Sequence, residues 1–132
     1  MKILTVLCQK GGVGKTTFVV NLGKLLSHKG YKTLLIDTDP QGNVSTYLNF
    51  DKNSKAALSA TDLFENRLDK EITKVSENLY LIPSNKSIIK HSSEKIIGGS
   101  KLIKHKNFLT ENGFDLVLIL SLIHISEPTR RY

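Results

Sequence analysis

The spacing of apolar positions divides the first part of the chain into strand, helix and strand. Lys2 to Cys8 is an apolar run rich in β-forming residues, which predicts a buried strand. From Lys15 to Lys29 the apolar residues recur at spacings of three and four, which predicts an amphipathic helix with Gly30 at its C-terminal end. Lys32 to Asp37 predicts a second buried strand. The apolar face of the predicted helix contains Phe18, Val19, Leu22, Leu25 and Leu26.

The order strand, helix, strand is typical of a βαβ unit with parallel strands and a right-handed crossover. The predicted fold class is therefore α/β, with a doubly wound and mostly parallel sheet and flanking helices. In such sheets the functional loops follow the carboxyl ends of the strands.

The pattern after Asn43 is looser but predicts further elements. We expect a loop from Asp51 to Lys55, a short helix around Thr61 to Glu65, and strands at Leu79 to Pro83 and Phe114 to Ile119. Apolar residues at helical spacing suggest two more helices, on either side of Gly98 and Gly99. The first would contain Ile88, Ile89, Ile96 and Ile97, and the second Leu102, Ile103 and Leu109.

The composition excludes several classes of protein. The longest apolar run, Leu116 to Ile125, has ten residues, about half of what a bilayer-spanning helix requires. Cys8 is the only cysteine, which excludes an intramolecular disulfide and a cysteine-rich zinc site. The four histidines have no carboxylate or cysteine at ligand spacing, which argues against a metal site built on them. We expect a cytoplasmic protein.

The chain is basic, with 19 lysines and arginines against 12 aspartates and glutamates and a net charge of +7. A positive charge of this size favours polyanionic partners. Six lysines fall between Lys86 and Lys106. They are interpreted as solvated helix faces, the commoner reason for a run of charges, or alternatively as a nucleic-acid surface.

A glycine-rich motif lies between the first predicted strand and the first predicted helix. Its backbone N–H groups can turn inward around phosphate oxygens, and the helix that follows adds the positive end of its dipole. Lys15 can neutralise β- and γ-phosphates, Thr16 can ligate Mg²⁺ between them, and Thr17 can donate a hydrogen bond to a phosphate. The sequence therefore predicts a nucleotide site. The predicted binding residues are Lys10, Gly11, Gly12, Val13, Gly14, Lys15, Thr16 and Thr17.

The motif departs from the general phosphate-loop pattern, because Gln9 replaces its first glycine and a second lysine, Lys10, stands inside the loop. With this loop and the segment Ile36 to Asn43 (IDTDPQGN), the chain resembles the ParA/Soj partition ATPases. These belong to the deviant Walker A class of P-loop NTPases, together with MinD and the nitrogenase iron protein. The resemblance extends from Met1 to about Ile119, and the string DPQGN indicates the partition branch.

The resemblance implies a role for each site residue. Lys10 would reach the partner's phosphates in a dimer that encloses the nucleotide, so that Lys10, Lys15 and Asp39 form the catalytic set. Asp39 matches the family aspartate that positions the attacking water. Asp37 would assist Thr16 in the Mg²⁺ shell. Without the resemblance, the two aspartates would be interpreted as capping groups of a loop.

The implied protein is a Mg²⁺-dependent ATPase of plasmid or chromosome segregation. We expect it to bind ATP and Mg²⁺, to form a homodimer on ATP binding and to bind DNA non-specifically. A centromere-binding partition partner would stimulate hydrolysis. We expect a cytoplasmic, nucleoid-associated protein without stable membrane association. The alternatives are a MinD-like membrane-associated positioning ATPase, which an amphipathic helix would mark, and a nucleotide-binding regulatory protein that hydrolyses nothing.

The end of the chain departs from the family pattern. Where the family has a Walker B aspartate after the strand that ends at Ile119, this chain has Leu120. Residues 120–132 instead resemble the translation of a transposase adapter used to prepare sequencing libraries. We therefore expect residues 1–119 to be the N-terminal part of a ParA-type P-loop ATPase domain of about 200 to 250 residues, and residues 120–132 to be a non-native tail. We expect the truncated chain to be inactive, with an open apolar sheet edge that makes it poorly stable.

Overall fold

The computed structural model describes residues 1–9, 13–50, 57–90 and 104–123 of the chain. The strands are β1 (Lys2–Gln9), β2 (Thr33–Asp37), β3 (Thr73–Ser76), β4 (Leu79–Ile82) and β5 (Leu116–Ile123). The helices are α1 (Val13–His28), α2 (Asn43–Leu48), α3 (Ala60–Phe64) and α4 (Lys106–Glu111). A 3₁₀ turn covers residues 86–90.

The strands form one sheet in the order β1, β5, β2, β4, β3. The first four of these are parallel to one another, and β3 pairs antiparallel with β4. Strand β5 lies between β1 and β2, so that Leu4 and Leu35 both lie opposite Leu118. The predicted α/β fold with a mostly parallel sheet and flanking helices is confirmed.

Helices cover both faces of the sheet. On one face, α1 and α2 share a buried cluster with the strands; its members are Val19, Val20, Leu35, Val44, Leu79, Leu81, Leu118 and Leu120. On the other face, the strands form a second cluster with α3, the 3₁₀ turn and α4, to which these three elements contribute Ala60, Leu63, Phe64, Ile88 and Leu109. Successive strand residues point to opposite faces, so the central strands supply side chains to both clusters.

Helix α1 begins at Val13, two residues earlier than predicted, and its buried face differs from the predicted one. Phe18 and Leu25, which the periodicity places in the core, are each 54% exposed. Val20 and Ser27, outside the predicted face, are buried instead. The predicted apolar face is therefore wrong at two of its five positions.

Gly23 explains the position of this helix. It is buried, and a Cβ added to it would lie 2.7 Å from Leu35 Cδ2 of β2. The absence of a side chain lets α1 approach the sheet closely at this point. The buried face of α1 is centred on Gly23, because the helix can pack closely against the sheet only where it has no side chain. The bulky Phe18 and Leu25 therefore lie outside the contact with the sheet.

The C-terminal end of α1 follows the prediction. Gly30 has a φ of 97°, a left-handed conformation that glycine adopts without steric penalty. The Gly30 N–H donates to the Ser27 carbonyl at 3.0 Å, and the Tyr31 N–H donates to the Leu26 carbonyl at 3.2 Å. This pair of bonds is a Schellman motif, which ends the helix and directs the chain into β2.

The sequence pattern does not predict two elements of the structure, α2 and β3. Helix α2 has six residues and follows Gly42, whose φ of 62° is left-handed. Strand β3 is short, with alternating half-buried and exposed residues, and it joins β4 through a turn in which Asn78 has a φ of 64°. Strand β3 (TKVS) has a single apolar residue, Val75, and so shows no alternation, and α2 follows the turn after Asp39 directly, without a periodic run that would mark it.

The other predicted elements agree in part with the structure. The predicted short helix is α3, and the strand predicted at Leu79 to Pro83 is β4. Ile88 and Ile89 lie in the 3₁₀ turn and not in an α-helix, and Leu109 is buried in α4. The loop expected at 51–55, and the predicted helix residues within 91–103, lie outside the described residues.

Strand β5 continues past its predicted end at Ile119. Leu120 to Ile123 pair with Val6 to Gln9 of β1, and Leu120 is completely buried. An apolar continuation can add ladder hydrogen bonds to an established strand whatever its origin. The division of the chain after residue 119 therefore stays a prediction. Residues 124–132 lie outside the described residues.

Candidate functional site

The ends of β1 and β2 bring the predicted site residues to one edge of the sheet. Val6 and Asp37 both lie opposite Leu120 of β5, so Asp37 is level with Val6. Strand β1 then continues to Gln9, and α1 begins at Val13. Because these strands are parallel, the first turn of α1 and the residues after Asp37 share the carboxyl edge of the sheet, where ligands of α/β folds bind.

The first turn of α1 carries the described part of the glycine-rich loop. Gly14 and Lys15 are exposed, Thr16 is 5% exposed and Thr17 is half-buried. The turn contains no acidic residue. The unpaired N–H groups and the dipole of a helix N-terminus favour an anion, and the Lys15 ammonium adds a full positive charge. Lys10, Gly11 and Gly12 lie outside the described residues.

The backbone at Gly14 lies beside open space. Outside its own turn of helix, a Cβ added to Gly14 would meet no atom within 4 Å. Gly23 is the opposite case, because its missing Cβ is required by the contact with Leu35. Packing among the described residues therefore does not require glycine at position 14, and a glycine there leaves the backbone open to a ligand.

Asp37 is the most enclosed charged residue at this edge, with none of its surface exposed. Its Oδ1 accepts the N–H of Asp39 at 3.0 Å, and its Oδ2 accepts the N–H of Val44 in α2 at 3.2 Å. A buried carboxylate is costly unless hydrogen bonds compensate it, and these bonds provide that compensation. Asp37 thus joins the end of β2 to the start of α2.

Asp39 lies in the turn between β2 and α2 and is 7% exposed. Its Oδ1 accepts the N–H of Gln41 at 3.0 Å, and its carbonyl accepts the N–H of Gly42 at 2.8 Å. These bonds are the loop-capping contacts that the bare sequence pattern suggests for the pair of aspartates. A carboxylate has about four acceptor positions, so the bond from Gln41 does not use up the acceptor capacity of the Asp39 side chain.

Two polar residues at this edge, Thr38 and Ser84, belong to no motif that the sequence shows. The Thr38 N–H and hydroxyl both donate to the Leu120 carbonyl at 3.0 Å, which fixes the turn to β5. Ser84 follows β4 and is fully buried, and its hydroxyl has no hydrogen-bond partner among the described residues. The strand pattern places both residues at strand ends, but a single threonine or serine gives no further signal.

Within the parts of the chain that the structure describes, no group of three or more His, Cys, Asp or Glu residues is placed to hold a metal ion. A Mg²⁺ ion in a phosphate loop needs fewer protein ligands, because phosphate oxygens and water complete its octahedron. The Thr16 hydroxyl and the Asp37 carboxylate lie at the same edge and are of the right chemical type. In the same parts of the chain, no helix is long and apolar enough to cross a membrane.

Comparison with known sequences places most of the chain in one family. A family model described as "AAA domain" matches residues 1–121. The sporulation initiation inhibitor protein Soj of Bacillus subtilis is 34% identical over 122 residues, covering 89% of this chain and 48% of Soj. The chromosome-partitioning ATPase Soj of Treponema pallidum is 35% identical over 123 residues, covering 89% and 47%. The chain spans about half the length of these curated relatives.

Solved structures agree with the sequence comparison. Apo McdA from Cyanothece superposes with a TM-score of 0.76 at 29% identity, covering 94% of this chain and 50% of McdA. A plasmid partition protein of Borrelia burgdorferi bound to AMPPNP gives 0.68 at 33% identity, covering 92% and 52%. Cobyrinic acid a,c-diamide synthase from Mycobacterium smegmatis with ADP and magnesium gives 0.75 at 28% identity, covering 90% and 50%. With the phosphate-loop helix and the two edge aspartates in place, the chain belongs to the AAA domain family and, within it, to the ParA/Soj-type P-loop ATPases.

Proposed function

We propose that the chain is the N-terminal part of a Mg²⁺-dependent ATPase that acts in plasmid or chromosome segregation. One observation carries the proposal: the exposed, cationic N-terminus of α1, with Lys15, shares a sheet edge with the buried carboxylates Asp37 and Asp39. Relatives bound to AMPPNP, or to ADP with magnesium, support nucleotide and Mg²⁺ as the cofactors.

Each residue of the edge has a proposed role. The segment from Lys10 to Thr17 surrounds the phosphates of ATP with N–H groups, and Lys15 neutralises their charge. Thr16 and Asp37 hold Mg²⁺, which, when bound, offsets negative charge on the phosphates. Asp39 orients the attacking water. Lys10 contacts the phosphates held by a second subunit, as an arginine finger supplied in trans would.

The wider activity follows from the partition relatives. We propose that ATP binding joins two subunits, that the dimer binds DNA without sequence preference, and that a centromere-binding partner stimulates hydrolysis. The protein would act in the cytoplasm, on the nucleoid. Relatives named as a chromosome-partitioning ATPase and as a plasmid partition protein support this assignment. The net charge of +7 suits a partner with a phosphate backbone.

A fusion tests the proposal in a chain of full length. We define the Soj fusion as residues 1–119 of this chain joined to the part of Bacillus subtilis Soj beyond the matched region. We expect it to bind and hydrolyse ATP in the presence of Mg²⁺ and to lose hydrolysis when EDTA removes the metal. Asp39→Ala should keep ATP binding and lower the hydrolysis rate by about 10²- to 10⁴-fold, the usual contribution of such a group.

Asp69→Ala, at an exposed carboxylate beyond the site, is the matched control and should hydrolyse ATP at the wild-type rate. A folded fusion that binds no nucleotide would contradict the proposed ATP site. Equal hydrolysis by the wild type and Asp39→Ala would show that Asp39 only caps its turn.

A further inference from the structure

A cavity of 430 Å³ lies where the central strands begin, on the face of the sheet opposite α1. Lys32 precedes β2, while Asn112 and Phe114 precede β5, and these two strands are parallel. The aspartates of the candidate site follow β2, so the length of that strand, about 16 Å, separates the cavity from them. The apolar lining consists of Leu68, Ile72, Tyr80, Phe108 and Phe114. The volume, and an apolar lining with few polar groups, are typical of a small-molecule site.

Lys32 is fixed at this cavity through its backbone. Its N–H donates to Asp115 Oδ2 at 2.8 Å, and its carbonyl accepts the N–H of Asp115 at 2.8 Å and that of Leu116 at 3.2 Å. The Lys32 ammonium donates to the Asn112 carbonyl, at the C-terminal end of α4. An ammonium has three N–H donors, so this bond uses only one of them.

Two aromatic rings flank the Lys32 ammonium. Its Nζ lies 4.9 Å from the ring centroid of Phe114 and 5.1 Å from that of Tyr80, and the two rings meet edge to face. A second ammonium, that of Lys74 in β3, lies 5.9 Å from the same Tyr80 ring. A ring face attracts a cation. Two cations beside one ring, however, repel each other, which favours an anion between or beside them.

No carboxylate of the described residues neutralises these two lysines, because the ion pairs there involve neither Lys32 nor Lys74. Asp69 and Glu71 also line the cavity, but both are exposed, so water and salt screen their charges. Lys32 is half-buried against the rings, where its charge is screened less. The cavity therefore attracts an anion to Lys32.

We propose that this cavity binds a small organic anion, with a planar apolar body and one carboxylate or phosphate group. The anionic group accepts the remaining N–H donors of Lys32 and offsets its repulsion from Lys74. The planar body packs on the aromatic rings of the lining, which prefer stacked or edge-to-face partners. The inference goes beyond the proposed function and does not depend on nucleotide.

Titration with small probes tests the cavity in the 132-residue chain and in the Soj fusion, which both contain the whole lining. The anionic probes are 3-phenylpropionate and phenyl phosphate, and the probe of opposite charge is 3-phenylpropylamine. We expect at least one anion to bind at least tenfold more tightly than the amine. It should also shift the backbone amide signals of Lys32 and Gly113 in NMR spectra. The anion that binds more tightly identifies the anionic group.

Two lysine variants test the named contacts. Lys32→Gln removes the ammonium and should weaken binding of the anion at least tenfold. Lys74→Gln, at an exposed position, should weaken it at least threefold, and it provides the test if Lys32→Gln does not fold. Lys24→Gln is the matched control, because the Lys24 ammonium also lies near a ring, 5.8 Å from that of Tyr47 in α2, but on the other face of the sheet. It should bind the anion as the wild type does.

Three results would overturn the proposal. The first is a folded wild-type protein that binds neither anion up to about 10 mM. The second is equal affinity for the anions and the amine, or unchanged affinity in both Lys32→Gln and Lys74→Gln. The third is a labelled single-stranded oligonucleotide that binds and is lost in both variants while neither small anion binds, which would assign this surface to nucleic acid. None of these measurements uses ATP, so their outcome is separate from that of the proposed function.

Discussion

The buried carboxylate of Asp37 accepts a hydrogen bond from the backbone N–H of Val44 at 3.2 Å, which ties the end of β2 to the first turn of α2. The same carboxylate accepts the N–H of Asp39 at 3.0 Å. Asp37 therefore determines where Asp39 lies, whether or not it also contacts Mg²⁺. The capping bonds and the proposed catalytic role of the aspartate pair therefore depend on one arrangement.

Asp37→Ala should destabilise the Soj fusion by about 2 to 4 kcal/mol, because it leaves two N–H groups without their acceptor. The measurement is the free energy of unfolding from urea titration. Asp37→Asn keeps one carbonyl acceptor and should lose about half as much. An Asp37→Ala variant as stable as the wild type would show that these two bonds do not hold the turn.

Gly14→Ala should separate nucleotide binding from folding. The added methyl group meets open space, so the free energy of unfolding of the Soj fusion should change by less than about 0.5 kcal/mol. The methyl group would, however, occupy the space that a phosphate needs. We expect ATP affinity to fall at least tenfold, about 1.4 kcal/mol, as measured by isothermal titration calorimetry.

Gly23→Val is the opposite control. Its side chain would press on Leu35 and Leu79, and we expect a loss of stability of about 1 to 3 kcal/mol with ATP affinity retained in the folded fraction. Unchanged ATP affinity in Gly14→Ala would mean that the phosphate does not approach the backbone at this position.

The first βαβ unit could be predicted from the sequence because its signals are local. The buried strands are apolar runs, and Gly30 marks the end of α1 through its left-handed conformation. The buried face of α1 could not be predicted in the same way. The apolar periodicity predicts that α1 has an apolar face. The contact between Gly23 and Leu35, however, determines which side of the helix packs against the sheet.

In the candidate site, too, some features could be predicted from local sequence and others depend on tertiary contacts. The glycine-rich motif and the parallel topology predict that the first turn of α1 and the two aspartates share one edge. The bond from Val44 to Asp37 could not be predicted, because it depends on α2, a helix of six residues without a period. The sequence motif thus predicts the members of the site, and tertiary contacts decide how they are held.

Lys15 and Lys10 should differ in what they contribute to the Soj fusion. Lys15 lies in the first turn of α1, beside the N–H groups of its own subunit, so Lys15→Ala should abolish ATP binding. Lys10→Ala should bind ATP as a monomer but fail to dimerise, since its proposed contact is with the partner's phosphates. Sedimentation with a slowly hydrolysed ATP analogue measures both properties. Equal loss of ATP binding in both variants would place Lys10 in its own subunit's site.

An ion-pair cluster on the opposite face of the sheet from α1 gives a prediction for pH dependence. Asp62 is 2% exposed and caps α3, since its Oδ2 accepts the Ser59 N–H at 3.0 Å and its backbone N–H donates to the Ser59 hydroxyl. Arg67 Nη2 lies 3.0 Å from Asp62 Oδ1, and Lys70 Nζ lies 3.3 Å from Oδ2. Burial raises the pKa of Asp62, but the hydrogen bonds from Ser59, Arg67 and Lys70 outweigh burial and bring the pKa below its ordinary value of 3.8.

Because the folded-state pKa of Asp62 is the lower one, the unfolded chain binds a proton first as the pH falls. The ionised carboxylate therefore stabilises the fold fully above the ordinary pKa, and this contribution is lost as the pH falls through 3.8 towards the folded-state value. We expect Asp62→Asn to lower the free energy of unfolding of the Soj fusion by about 1 to 3 kcal/mol at pH 7. The difference from the wild type should shrink below pH 4. Glu111→Gln, at an exposed carboxylate of α4, is the control and should follow the wild type at both pH values. A difference between Asp62→Asn and the wild type that is the same at pH 7 and pH 3 would show that the charge of Asp62 does not stabilise α3.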